Sequence, residues 1–172
     1  CGDLLDIGTG PGRMLRLLAG CTDNGVGIDA SREMLSIARA ELELPEFRHC
    51  HVRHGDMYHT ELDAGSFDAV VVHMVLHYAD RPSAIFAEAA RVLRSDGQLI
   101  VVDFTPHTLE SLRADHAHRR LGFDDEEIAV WCHDSGLTAK HSVTLPGDPL
   151  TVRIWTATAN PTKTETFQNR AM

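Results

Sequence analysis

The sequence predicts an α/β domain, a mostly parallel seven-stranded sheet with helices on both faces and an antiparallel last strand. Three observations predict it. Short apolar runs alternate with segments of helical period, the pattern of strand–helix–strand units. Two of the runs, Val70-Val71-Val72 and Leu99-Ile100-Val101-Val102, are unbroken, as strands covered on both faces require. The last two runs are joined only by Pro146-Gly147-Asp148-Pro149, too short for a helical crossover, so they must pair antiparallel.

Strands are expected over 3–7, 25–28, 49–54, 67–73, 98–104, 139–145 and 150–157, with 70–72 and 99–102 the most deeply buried. Helices are expected over about 12–19, 31–41, 82–93 and 125–135. Leu4, Leu5 and Ile7 make the first strand apolar, and a glycine-rich turn ends it. Ile85, Ala89 and Val92 recur at helical spacing and give the third helix one apolar stripe, with Ser95-Asp96-Gly97 as its exit. The fourth helix opens on Asp124 and Glu127 in a capping-box arrangement, buries Ile128, Trp131 and Cys132, and stops at Gly136.

A chain of 172 residues with 43% apolar and 24% charged residues supports one domain with a sizeable core. Its formal charge of −9 repels phosphate backbones and its sixteen Lys and Arg residues are scattered, which argues against direct nucleic-acid contact. No run approaches the roughly 20 apolar residues of a membrane span, and no basic-then-apolar leader opens the chain, so a soluble cytoplasmic protein is expected. Cys1, Cys21, Cys50 and Cys132 are far apart, suggesting neither a disulfide framework nor a cysteine zinc site. The chain enters its first strand almost at Cys1. We therefore expect a core over 1–158, truncated at its N-terminus, and a polar, disordered tail over 159–172.

Asp6-Ile7-Gly8-Thr9-Gly10-Pro11-Gly12 falls where the first strand turns into the first helix, the place where such sheets bind nucleotides. Alternate glycines permit positive φ and let a ligand approach without meeting a Cβ. A dinucleotide fingerprint needs GxGxxG, yet counting from Gly8 puts Arg13 at the third glycine and counting from Gly10 puts Leu15 there. Asp6 repels phosphate in addition and suits a cationic amine or sulfonium. At the tip of the second strand, Asp29 can accept both hydroxyls of a ribose; the alternative is an N-cap, a task open to Ser31. After the third strand, Asp56 can accept from an adenine amino group and Met57 can cover the ring.

Together these residues resemble the class I S-adenosylmethionine-dependent methyltransferases, over 1 to about 158. The resemblance implies a Rossmann-like sheet of order 3-2-1-4-5-7-6 and S-adenosylmethionine as cofactor. It implies that Asp6, Gly8, Thr9, Gly10 and Gly12 hold the methionine portion, that Asp29 holds the ribose beside Ala30 and Met34, and that Asp56 and Met57 take the adenine. The stretches LLDIGTGPGRML, GVGIDASREML, SFDAVVVHMVLHY and EAARVLRSDGQLIVVDF look like the branch of ubiquinone and menaquinone biosynthesis enzymes. VDFTPHTLESLRADHAHRRLGF and LPGDPLTVRIW resemble the methyltransferase halves of bacterial fusions with an ArsR-type regulator, which would place a DNA-binding domain upstream.

Methyl transfer from a sulfonium is an in-line displacement by a reagent already activated by its charge, so the protein's main task is alignment. A small-molecule acceptor is expected over the carboxyl ends of strands four and five, which carry His73, Met74 and His77, then Asp103, Phe104 and His107. His73 is placed closest to the methyl group, as a cofactor contact and as the candidate base; the alternative is a pocket histidine that moves no proton. His77, Asp103 and His107 are assigned to the acceptor pocket. Residues 105–123 form a long excursion where a cap can be inserted, and its cluster of His116, His118, Arg119 and Arg120 either grips an anionic acceptor or solvates a helix face. The eleven histidines supply pairs (His49 and His51, His73 and His77, His116 and His118) but no three ligands at recognised spacing, so no metal is expected. Arsenite as acceptor would call for cysteines at the tips of strands four and five, where none falls. A second function stands beside the enzyme, a module that senses the cofactor without turnover.

Overall fold

The computed structural model describes residues 2–161. Its strands are β1 (Asp3–Ile7), β2 (Asn24–Asp29), β3 (Cys50–His54), β4 (Phe67–His73), β5 (Leu93–Phe104), β6 (Leu137–Leu145) and β7 (Val152–Ala159), and its helices are α1 (Arg13–Leu18), α2 (Arg32–Glu41), α3 (Pro82–Val92), α4 (Ser111–His116) and α5 (Asp125–Asp134). The strands form one sheet in the expected order β3-β2-β1-β4-β5-β7-β6. The pairs among β1 to β5 are parallel, while β7 runs antiparallel to both β5 and β6.

The sheet is two-sided. On one face Leu5, Ile7, Val70, Val72, Leu99 and Val101 meet Ile85, Phe86, Ala89 and Val92 of α3 and Ile128 and Cys132 of α5. On the other, Leu4 and Val71 meet Leu15 of α1, Leu42 beyond α2 and Cys50. Val70, Val71 and Leu99 are almost fully buried, as expected of central strands, but Ile100 is only partly so. Ser31 caps α2 by accepting from Met34 N–H at 3.2 Å, and Asp124 caps α5 by accepting from Glu127 N–H at 2.8 Å. The capping box is not reciprocal, because the Glu127 carboxylate pairs with Arg120 instead.

Several bounds differ from expectation. β5 begins at Leu93, pairing there with Phe67 before a register shift, so the turn at 95–97 lies inside the strand. β7 runs through buried Ala159, and Asn160 N–H donates to the Gly136 carbonyl, so order continues past residue 158. The rest of the polar tail, 162–172, lies outside the described residues. The excursion after β5 contains α4, which buries no side chain. Among the described residues, no helix is long and apolar enough to cross a membrane.

Candidate functional site

The turn after β1 folds back on β2, where the N–H groups of Gly8 and Thr9 both donate to the Ile28 carbonyl at 2.9 Å. Its three glycines serve different ends. A Cβ on Gly8, at φ +73°, would lie 2.5 Å from Val75 Cγ2, and one on Gly12 would lie 3.3 Å from Ala38 Cβ; these two allow close packing within the protein. Gly10 has no atom within 4 Å of where its Cβ would stand, so it is the glycine that fronts open space.

That space is a cleft of about 220 Å³ lined by Asp6, Gly8, Thr9, Gly10, Pro11, Arg13 and Met14 on one side and His73 and Met74 on the other. A larger cavity, about 350 Å³, opens at the opposite end of the strands between Leu4, Ala69, Ile100 and Gln98, away from every site residue named above. Ligands of open α/β sheets bind at the carboxyl ends, which favours the smaller cleft.

Asp6 dominates the cleft electrostatically. It is 1% exposed; Oδ2 accepts from Thr9 Oγ1 at 2.6 Å, and Oδ1 is buried without a partner among the described residues. Burial pushes its carboxyl up to about 7, against the Thr9 hydrogen bond and with a further push from the charge of Asp29. A buried acceptor without a donor costs free energy until a donor arrives, so this atom fits a ligand that brings an N–H, above all a cationic one.

Asp29 braces the same turn. Its Oδ2 accepts from Gly10 N–H and its Oδ1 from Ser31 N–H, each at 2.8 Å. A carboxylate offers about four lone-pair sites, so capacity remains on both oxygens for two ligand hydroxyls. Ala30 is exposed, and Met34 is 38% exposed on the first turn of α2. Asp56 is exposed and holds the turn after β3, its Oδ1 accepting from Tyr58 N–H at 2.9 Å, while Met57 packs partly against the core. Among the described residues the acceptor oxygens of Asp6 and Asp29 and the open space at Gly10 thus suit the ammonium group and hydroxyls of S-adenosylmethionine.

His73 ends β4 with its ring half-buried in the cleft. Burial holds its imidazole below the ordinary histidine range, with nearby Asp103 pulling the other way. The neutral ring that results can accept a proton. Met74 follows at φ +53°, rare for a residue with a side chain, and its N–H donates to Val102 O at 2.8 Å. A strained residue at this edge of the cleft has no signature in the sequence.

Past β4 and β5 the structure joins His77 to Asp103. His77 is 2% exposed and Asp103 wholly buried, with His77 Nδ1 2.8 Å from Oδ1 and 3.1 Å from Oδ2. His107 lies edge-on to the Phe104 ring at 5.8 Å, and burial lowers its pKa. His118, which the sequence grouped with His116, Arg119 and Arg120 as a cluster able to grip an anion or to solvate a helix face, instead lies stacked on the His77 ring. Arg119 and Arg120 reach this cluster through their backbones, whose N–H groups donate to His77 O at 2.9 and 3.2 Å. Their side chains turn away, Arg119 to Asp80 and Arg120 to Glu127 and over the Phe123 ring, so they hold the segment and do not line the cleft. Among the described residues no three His, Cys, Asp or Glu side chains are placed to hold a metal ion, and the cysteines lie elsewhere, Cys21 exposed and Cys50 and Cys132 buried.

A 3-2-1-4-5-7-6 sheet with an antiparallel β7 and a carboxylate-flanked glycine turn defines the class I S-adenosylmethionine-dependent methyltransferases. Residues 5–101 match the family model described as a methyltransferase domain, and the chain belongs to that family. It is 33% identical over 171 residues to an arsenite methyltransferase of Aquipseudomonas alcaligenes, covering 80% of this chain and 49% of that protein. It is 31% identical over 115 residues to the ubiquinone/menaquinone biosynthesis C-methyltransferase UbiE of Citrifermentans bemidjiense, covering 63% and 48%. The chain thus spans about half the length of these curated relatives. In fold it is similar to the YcgJ protein of Bacillus subtilis, with a TM-score of 0.80 at 16% identity over 93% of this chain and 92% of that one.

Proposed function

We propose that this chain binds S-adenosylmethionine between the glycine turn and β4 and directs its methyl group to a small molecule held over the carboxyl ends of β4 and β5. The observation that carries this reading is the buried Oδ1 of Asp6, without a partner among the described residues, in the cleft that Gly10 also lines, a place suited to an ammonium group and hostile to phosphate. When bound, the cofactor supplies a methyl group on a positively charged sulfur. Asp6 and Gly10 take the amino-acid end, Asp29 with Ala30 and Met34 beside it takes the ribose, and Asp56 and Met57 take the adenine. His73, kept neutral by burial, would receive a proton from an oxygen or nitrogen acceptor as the methyl carbon passes from the sulfur to that acceptor.

The segments 102–123 and 145–155 support a parent protein in which this domain follows an ArsR-type regulator, and the free cysteines among the described residues suit the reducing cytoplasm. Arsenite is not carried over from the relative, because no described cysteine lines the cleft. Calorimetry with S-adenosylhomocysteine and NAD side by side tests the binding half: the first is expected to bind and the second not, and the reverse order removes the reading. Labelled-methyl transfer into a metabolite extract tests the chemical half. Tight binding with no transfer would replace the enzyme by a sensing module.

A further inference from the structure

Asp103 sits at the end of β5 without access to water, and its charge acts on four imidazoles, His73, His77, His107 and His118. His77 contacts the carboxylate directly, and the N–H groups of Phe104 and His77 donate to it at 2.8 and 3.3 Å. His118 is 8% exposed and stacks on His77 with ring centroids 4.1 Å apart and planes at 28°; its other ring neighbours are Tyr78, edge-on at 5.4 Å, Phe104, at 5.9 Å and 22°, and His116, edge-on at 6.4 Å. Its Nδ1 is buried and has no partner among the described residues, and the same holds for His107 Nε2. The stack is also where the excursion closes on the core: His118 N–H donates to Leu112 O at 3.1 Å, and the next two N–H groups donate to His77 O.

We propose that residues 107–121 form an acid-released latch over the acceptor end of the sheet, with His118 as its proton sensor and the His77–Asp103 pair as its seat. One carboxyl group neutralises at most one positive charge, and His77 is the ring in contact with it. A proton on His118 would place a charge on a ring that is mostly buried and whose Nδ1 has no partner among the described residues, while the counter-ion that acts on it, Asp103, is already held by His77. The remaining charged groups that face the stack do not supply another. His107 and His116 are themselves bases, Glu110 acts on His107, and Arg119 and Arg120 are engaged with Asp80 and Glu127. Burial first, then His77, hold His118 below the ordinary imidazole range. The closed segment is therefore fully stable above the solvent value of about 6.5 and loses stability as pH falls below it, because only the open segment takes up the proton.

The function of the latch, admitting the methyl acceptor, rests on the proposed methyl transfer; its existence does not. Amide hydrogen exchange on the full 172-residue chain at about pH 7.5 and 5.5, corrected for intrinsic exchange, reads it directly. Protection of residues 118–120 is expected to fall about tenfold relative to β1 and β4, the change one linked proton gives over roughly one pH unit below 6.5. His118→Phe, which keeps a ring in the stack and carries no proton, is expected to lose at least about threefold less protection than wild type across the same range, any remaining loss coming from His107, whose imidazole pKa burial also lowers. Parallel loss in wild type and His118→Phe, or undiminished protection in wild type, overturns the latch. Should His118→Phe fail to fold, ¹⁵N spectra of the wild-type imidazoles decide: His118 must titrate together with segment opening, and an ordinary titration in the closed state overturns the proposal. S-adenosylhomocysteine binding, measured separately, would survive a failed latch, and its loss would leave the exchange result standing.

Discussion

The carboxylate of Asp29 accepts a hydrogen bond from the Gly10 N–H at 2.8 Å, tying the tip of β2 to the turn that follows β1. One side chain thus braces the open glycine and keeps lone pairs free for the proposed ribose. Asp29→Ala is expected to lower S-adenosylhomocysteine affinity about a hundredfold, the loss of two bonds to a charged acceptor at roughly 1.5 kcal/mol each. Asp29→Asn, which keeps one acceptor oxygen, should fall between. Calorimetry reads both, and unchanged affinity in Asp29→Ala would remove the ribose assignment.

Asp6 predicts a proton signature. With its pKa raised to about 7, a large part of the population carries the proton at neutral pH, and an arriving ammonium favours the ionised form. Affinity for S-adenosylhomocysteine should rise with pH up to about 7 and level off above it, with proton release visible as a dependence of binding heat on buffer ionisation enthalpy. Asp6→Asn should show no release. The sign for stability is opposite: a raised carboxyl pKa contributes stability that is complete below the unfolded value of 3.8 and is lost as pH rises through about 7. Asp6→Asn is therefore expected to gain on wild type in thermal denaturation as pH goes from 6 to about 8, by on the order of 1 kcal/mol.

The glycines separate folding from binding. Gly8→Ala would drive a Cβ into Val75 at positive φ and should cost about 2–4 kcal/mol in denaturant unfolding. Gly10→Ala meets no atom and pays only for its backbone conformation, about 1–2 kcal/mol. The informative outcome is a folded Gly10→Ala protein that binds S-adenosylhomocysteine poorly. Undiminished binding would show that this face is not where the ligand lies.

That division could not be read from the chain alone. Gly8 and Gly10 are equivalent in a motif, and what distinguishes them is Val75, brought under the turn by β4. Strand order and the antiparallel end were legible because unbroken β-branched runs and a four-residue connection leave few alternatives. α4 was not legible, since Ser111–His116 buries no side chain and six residues do not make a stable helix alone; the surrounding segment holds it. The His77–Asp103 pair stayed hidden for a similar reason. Both residues were placed near the acceptor, but parallel pairing of β4 with β5 is what brings positions 26 apart in sequence into contact. For Arg119 and Arg120 the sequence offered a charge cluster with two readings, and Asp80 and Glu127 decide between them.

Arg120 tests that decision. Its guanidinium joins Glu127 on the first turn of α5 and lies 5.2 Å over Phe123 and 5.9 Å over Trp131, a place where a planar cation gains from ion pairing and from the ring faces at once. The pair is about one-third exposed, so solvent screens it, and its ion-pair share stays below about 1 kcal/mol. Arg120→Ala is expected to destabilise the fold by about 1 kcal/mol in all, through lost packing as much as lost charge, and to leave S-adenosylhomocysteine affinity unchanged. Arg120→Lys should recover less than half of that loss, because an ammonium keeps the charge and gives up the planar contact. Urea denaturation of the three proteins gives the comparison. Wild-type stability in Arg120→Ala would return this arginine to the acceptor pocket as a free cation.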